Sequence, residues 1–315
     1  MIAPTADDAR AARARTAGTP VRTPLVRFGA DDAPADLKLE NLQPIGSFKI
    51  RGASNAMALA GEGALRHGVW TASAGNMAQG VAFCARRAGI PCTVVVPETA
   101  PLAKRRAIER LGGKIVDVPV EVWIEIFKTR RHPGMEGLFV HPFSDPAVMA
   151  GNGVIALEIL EDVPQPDAVL VPYGGGGLIC GIASVLAELS PRTKIFACEV
   201  STAAPLAASR RAGRPVTVPY TPSFVDGIGA PVVFDEMFEL GRGLIDDVFV
   251  STPQEIAAAV RLLAERNHVI AEGAGAAGIA ALLSGKAGPG TVVCIVSGGN
   301  IDAHKLSVIL EGGVP

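Results

Sequence analysis

The five cysteines, Cys84, Cys92, Cys180, Cys198 and Cys294, form no CxxC pair and are odd in number. Neither a disulfide framework nor a structural zinc site follows from them, and a reducing, cytosolic setting is the economical reading. An excess of charge is also missing. The 29 Lys and Arg face 31 Asp and Glu for a net charge of −2, so nothing draws the chain to nucleic acid or an anionic membrane. The N-terminus places Asp7, Asp8, Arg10, Arg13 and Arg15 where a signal peptide needs an apolar core. A loose arm or a first helix is expected there instead. The stretch Ala168 to Ala187 carries no charge, but Pro172 and the glycines at 174–177 interrupt it. That argues against one membrane-spanning helix and for a buried strand, a glycine loop and a buried helix. No repeat of fixed period and no low-complexity tract occurs.

What is present is a chain of 315 residues, 49% hydrophobic and 19% charged, long enough for a large core and two lobes. Short β-branched runs alternate with helical patterns. Strands are expected at Leu37 to Glu40, Gly68 to Ala72, Cys92 to Val96, Lys114 to Val118, Leu138 to His141, Ala168 to Val171, Lys194 to Cys198 and Thr291 to Val296. Helices are expected at Met77 to Ala88, Leu102 to Leu111, Trp123 to Lys128, Gly153 to Leu160, Leu178 to Leu189, Pro253 to Asn267 and Ala276 to Ser284. Continuous apolar strands separated by helices indicate an α/β fold with parallel sheet buried on both faces. A lobe change is placed near Pro119 to Gly137. The irregular stretch Pro215 to Gly229 is expected to cover or line a site.

The string Gly46-Ser47-Phe48-Lys49-Ile50-Arg51-Gly52-Ala53 puts a lysine where a loop turns into a helix. The positive end of a helix dipole and burial both disfavour an ammonium there, as a Schiff-base nucleophile requires. The bland alternative is a surface lysine. Three further loops each follow an expected strand at its C-terminal end, the edge where open parallel sheets bind ligands. Ser73-Ala74-Gly75-Asn76-Met77 offers free backbone N–H groups to an anion such as a carboxylate, and Asn76 adds an oriented amide. Gly174-Gly175-Gly176-Gly177-Leu178 opens a helix and suits a phosphate. Ser297-Gly298-Gly299-Asn300 ends an apolar strand and is, on its own, an ordinary turn signal. A nicotinamide-binding Rossmann domain is the rival, since Glu199 follows the next strand, yet the glycines at 174–177 and 181 do not form GxGxxG.

Taken together these features suit pyridoxal phosphate, and the chain resembles the fold type II pyridoxal-phosphate enzymes, in particular the threonine/serine dehydratase and serine racemase group. The strings that carry the resemblance are Lys38-Leu39-Glu40, Gly46 to Ala53, Ser73 to Gly80, Gly174 to Leu178, Phe224 to Ile228 and Ser297 to Asn300. They stand in family order across nearly the whole chain. The resemblance implies a two-lobed fold with the cofactor between lobes. Residues 1–66 plus 146–315 would form the large cofactor-binding domain, and 67–145 a small domain carrying the substrate-carboxylate loop. It further implies that Lys49 holds the cofactor as an internal aldimine and moves the α-proton. Asn76 would bind the cofactor's 3′-oxygen, and the N–H groups of Gly174, Gly175, Gly176, Gly177 and Leu178 its phosphate. Ser297 would face the pyridine nitrogen without protonating it, which weakens the ring as an electron sink and favours elimination over a long-lived quinonoid. Ser73, Ala74, Gly75, Asn76 and Met77 would bind the substrate carboxylate. The implied reaction is dehydration and deamination of a β-hydroxy amino acid, such as threonine or serine, by a cytoplasmic homodimer. The alternatives are a racemase, a β-replacement synthase and, more remotely, the oxidoreductase.

Four departures bear on this. Met77 stands where the family usually has His, and Ala74 where racemases carry a second, serine base, which favours lyase over racemase. Glu199 matches one carboxylate of the family's cation site, but Pro205 stands where the second would be, so no metal is assigned. The chain ends at Pro315, and a C-terminal regulatory domain is not expected. Arg51 is read as a structural ion pair and Asp226 as part of the rim. His67, His132, His268 and His304 are read as bland, and His141 either as a pocket residue or a core one.

Overall fold

A computed structural model describes residues 1–29 and 34–315. Its strands are β1 (Leu25–Arg27), β2 (Asp36–Lys38), β3 (Val69–Ala72), β4 (Cys92–Pro97), β5 (Lys114–Val118), β6 (Leu138–Phe139), β7 (Ala168–Pro172), β8 (Lys194–Val200), β9 (Asp247–Ser251) and β10 (Val292–Ile295). The helices are α1 (Ala6–Arg15), α2 (Lys49–Leu65), α3 (Asn76–Ala88), α4 (Leu102–Arg110), α5 (Val120–Thr129), α6 (Pro146–Asp162), α7 (Gly177–Leu189), α8 (Pro205–Ala212), α9 (Asp235–Arg242), α10 (Pro253–Asn267), α11 (Gly273–Leu283) and α12 (Ala303–Leu310). They build two sheets. One has six strands in the order β1-β2-β10-β7-β8-β9, the other four in the order β5-β4-β3-β6. Among the described residues every strand pairing is parallel except β1 with β2. The α/β class and the two parallel sheets therefore stand as expected.

Period-two alternation explains why both faces are covered. Ala168 and Leu170 of β7 join the cluster formed with α10 and α11, while Val169 and Val171 join the cluster formed with α6 and α7. In the smaller sheet Val94 and Val96 face one layer and Val95 the other. Strands buried on both sides read as unbroken apolar runs, which is why β3, β7 and β10 were legible.

Differences from expectation have local causes. The run Leu37 to Glu40 splits: β2 ends at Lys38, and Glu40 opens a short 3₁₀ turn, because both charged side chains are drawn into a buried ionic cluster. Asp247–Ser251 forms the edge strand β9, which the polar Asp246-Asp247 start disguised. The charged N-terminus is α1, closed by a capping box in which Thr5 and Asp8 serve each other. The stretch Pro119 to Gly137 does not change sheets. It supplies α5 and returns the chain to β6, beside β3, and the crossing to the six-stranded sheet follows Phe139. Pro215 to Gly229 is irregular, as read. Among the described residues no helix is long and apolar enough to cross a membrane.

Candidate active site

Lys49 is the first residue of α2. Its Nζ donates to the carbonyl of Pro142 at 2.6 Å, and no carboxylate of the described residues lies within hydrogen-bond distance of it. Burial pulls the ammonium down to about 8, partly offset by the more distant negative charge of Glu272. Such an amine sheds its proton close to neutrality, which a nucleophile needs.

The segment carrying it is pinned. Phe48 N donates to Ser297 O at 3.0 Å, Gly299 N to Gly46 O at 2.9 Å, and Ser47 bridges Gly298. Two residues further on, Arg51 lies in a closed ionic cluster. Its guanidinium reaches both oxygens of Glu40 and both of Glu158, all at 2.8 Å, and Lys38 Nζ reaches Glu158 at 2.5 Å. Two carboxylates balance two cations, and Thr23 Oγ1 adds a hydrogen bond to Glu40 at 2.6 Å. Buried charges tolerate burial only when paired in this way. The cluster anchors the first turn of α2, and Arg51 is structural, as expected.

His141 belongs to the frame as well. Its Nδ1 accepts from Ser144 N at 2.8 Å and Phe143 N at 3.2 Å, while Nε2 lies 3.2 Å from Phe127 O. Burial and the nearby Arg130 push the imidazole down to about 3. It is a neutral brace for the turn that presents the Pro142 carbonyl to Lys49.

The glycine loop connects β7 to α7. Gly176 has φ +89°, a conformation other residues adopt only under strain. A Cβ on Gly175 would strike the Phe143 ring, and one on Gly177 would meet Phe143 O at 2.6 Å. Among the described residues the backbone N–H groups of Gly174 to Leu178 find no acceptor in the protein. Five orphan donors at the start of a 13-residue helix fit an anion of phosphate size. Asn152 steadies the helix start by donating to Gly177 O at 3.0 Å.

The loop Ser73 to Met77 leads into α3. Ser73 N donates to Val95 O at 3.2 Å and Gly75 N to Ser73 Oγ at 3.2 Å. That narrows the free donors to the N–H groups of Ala74, Asn76 and Met77. The Met77 side chain is 1% exposed and lies in the apolar cluster beneath α2, so only its backbone can face a ligand.

These loops close a ring. Lys49 touches Pro142; Phe143 abuts Gly175 and Gly177; the Cα side of Gly174 faces Gly227 and Ile228; Gly227 lies beside Glu272; Glu272 holds Asn76; Asn76 holds Asn300. Ser297, 3% exposed, completes it next to Phe48. Lys49, the glycine loop, Asn76, Asn300 and Ser297 are thereby joined by one series of contacts, while Arg51, Glu199 and the Met77 side chain lie outside it. Glu272 was missed. Its signal was an acid directly before Gly273-Ala274-Gly275-Ala276, heading α11 without capping it. Asp226 sits at the rim, 3.0 Å from Lys104 and 3.7 Å from Lys305. Glu199 accepts from Leu206 N and Ala207 N at 2.9 Å each, capping α8, and burial raises its carboxyl to about 7.

Comparison with known proteins places the chain in a family. Residues 17–298 match the family described as pyridoxal-phosphate dependent enzyme. The L-threonine ammonia-lyase of Geobacter sulfurreducens is 43% identical over 286 residues, spanning 89% of this chain and 71% of that protein. Maize serine racemase superposes with a TM-score of 0.88 at 34% identity, covering 97% of this chain and 96% of that one. The processed form of threonine deaminase isoform 2 from Solanum lycopersicum gives 0.84 at 30% identity, covering 99% and 96%.

Proposed function

This chain belongs to the pyridoxal-phosphate dependent enzymes, and from that premise we propose that it is an ammonia-lyase. It converts a β-hydroxy amino acid such as L-threonine or L-serine to a 2-oxo acid and ammonia. Water lost at the β-carbon is regained at the α-carbon, so no oxidant is needed. The observation that carries the reading is the amine of Lys49, buried, poised near neutrality and linked through the Pro142-Phe143 turn to a glycine loop whose N–H groups find no acceptor among the described residues. The activity of the Geobacter relative supports it.

Bound through Lys49, the cofactor supplies an electron sink that acidifies the α-C–H bond. The chain does the rest. Lys49 Nζ would hold the cofactor and, when free, would accept the α-proton. The N–H groups of Gly174, Gly175, Gly176, Gly177 and Leu178 would hold its phosphate, Ser297 would serve the ring nitrogen and Asn76 the ring oxygen. The Ser73–Met77 loop holds the substrate carboxylate. Residues 1–66 plus 146–315 and residues 67–145 serve as the two domains between which this happens. Ala74 has no hydroxyl to deliver a proton to the opposite face, which disfavours racemisation. The same reading extends to a cytoplasmic homodimer: all five cysteines are free and buried, as suits a reducing compartment, and a two-fold dimer is the common assembly.

The test is a purified protein titrated with the cofactor. It should turn yellow and release 2-oxo acid and ammonia from L-threonine or L-serine without an added thiol, while Lys49→Ala stays colourless and inactive. Accumulation of D-serine, a strict need for a thiol, or wild-type turnover by Lys49→Ala would each overturn the reading.

A further inference from the structure

Segments far apart in sequence converge on the carboxylate of Glu272. Its Oε1 accepts from Asn76 Nδ2 at 2.8 Å, while Asn76 Oδ1 accepts from Asn300 Nδ2 at 2.8 Å. Asn300 is itself held to Ile45 O at 2.8 Å. Both ends of the Asn76 amide are thereby assigned, nitrogen toward Glu272 and oxygen toward Asn300. A primary amide carries two N–H donors. One is engaged by Glu272, and the other has no partner among the described residues. Glu272 is in turn fixed: its backbone N–H donates to Gly298 O at 3.0 Å. Its carboxylate fits only because Gly298 lacks a side chain, since a Cβ there would lie 2.5 Å from Oε1.

We propose that Glu272 is a positioning residue, which locks the Asn76 amide with its free N–H turned to the cofactor and sets the charge beside that contact. The inference rests on the cofactor reading above but goes beyond it. The groups facing Glu272 are Lys49 from α2, Lys104 from α4, Asp226 from the irregular loop and the Asn76 amide from α3. Burial raises its carboxyl to about 7; the Asn76 hydrogen bond opposes the rise, Asp226 adds to it, and the two lysines oppose it. The charge at this position therefore changes within the working range of most enzymes.

The experiment uses the cofactor-loaded protein and two variants. In the wild type the visible absorption of the bound cofactor should shift with pH as Glu272 loses its proton, above the ordinary carboxylate range. Glu272→Gln keeps an oxygen for Asn76 but no titrating proton, so its spectrum should be flat across that range with cofactor affinity nearly unchanged. Glu272→Ala removes the acceptor and should bind cofactor roughly tenfold more weakly, the loss of one hydrogen bond. If Glu272→Ala does not fold, the Gln variant decides alone. A Gln variant that titrates like the wild type, or an Ala variant with wild-type affinity and spectrum, overturns the inference. A wild-type protein that stays colourless with the cofactor overturns instead the function proposed above.

Discussion

At the scale of single residues, the site separates side chains that act from side chains that hold. Lys49 has the makings of an acting group, because burial has weakened its grip on a proton and its hydrogen-bond partner is a neutral carbonyl. Met77 holds. Its thioether fills the cluster with Ile45, Ile50 and Val81 under the lysine's helix, where a polar group would need a partner that the apolar wall does not offer. Met77→His, which restores the residue type usual in the family, should therefore lower stability by about 1–3 kcal/mol, the cost of a buried polar group without a full hydrogen-bond set. It should bring no gain in kcat/KM. Urea unfolding midpoints and turnover on the same samples check both halves, and a variant of unchanged stability and raised activity would show that the ring has turned into the site.

At the scale of elements, legibility followed sequence distance. The glycine loop and the Ser73–Met77 loop were readable because each couples a strand end to a helix start within a few residues, and Lys49 because it opens α2; both signals are local. Glu272 and the ionic cluster were not, because their meaning lies in partners far along the chain: Asn76 is 196 residues from Glu272, and Glu158 is 107 from Arg51. The element that gains most from that cluster is the first turn of α2, which has no side-chain cap. Removing the guanidinium would leave Glu40 and Glu158 facing Lys38 alone. Arg51→Met should therefore destabilise the fold by about 3–5 kcal/mol, the usual penalty for orphaning buried charge rather than deleting a whole pair. Adding Glu40→Gln to it should return part of the loss, and denaturant unfolding of the single and double variants measures the difference. Equal stability of the two would mean that Glu40 is already neutral.

At the scale of the whole molecule, buried titratable groups impose a pH dependence on folding that can be worked out by sign. Glu199 and Glu272 bind their protons more tightly folded than unfolded, about 7 against 4.5. Their contribution is complete below 4.5 and fades as pH rises through 7. His141 works the other way: its value falls from 6.5 to about 3, so its contribution is present above 6.5 and is lost as pH drops through 3. Between 4.5 and 6.5 these trends oppose each other, and no net slope can be assigned to one residue. Above neutrality Lys49 works alongside the buried thiols, which burial raises from 9.0 and which therefore lower stability as pH climbs past 9. Lys49 drops from 10.5 to about 8 without cofactor, so the unfolded chain holds the extra proton between those values and the lysine's own contribution rises with pH across the window. Comparing cofactor-free wild type with Lys49→Met isolates this effect, because methionine keeps the apolar stem and removes the proton. The wild type should gain stability relative to the variant from pH 8 to pH 10 when both are free of cofactor. Parallel stability curves over that range would mean that the amine of Lys49 stays solvated and protonated, and the nucleophile assigned to this site would have to be sought elsewhere.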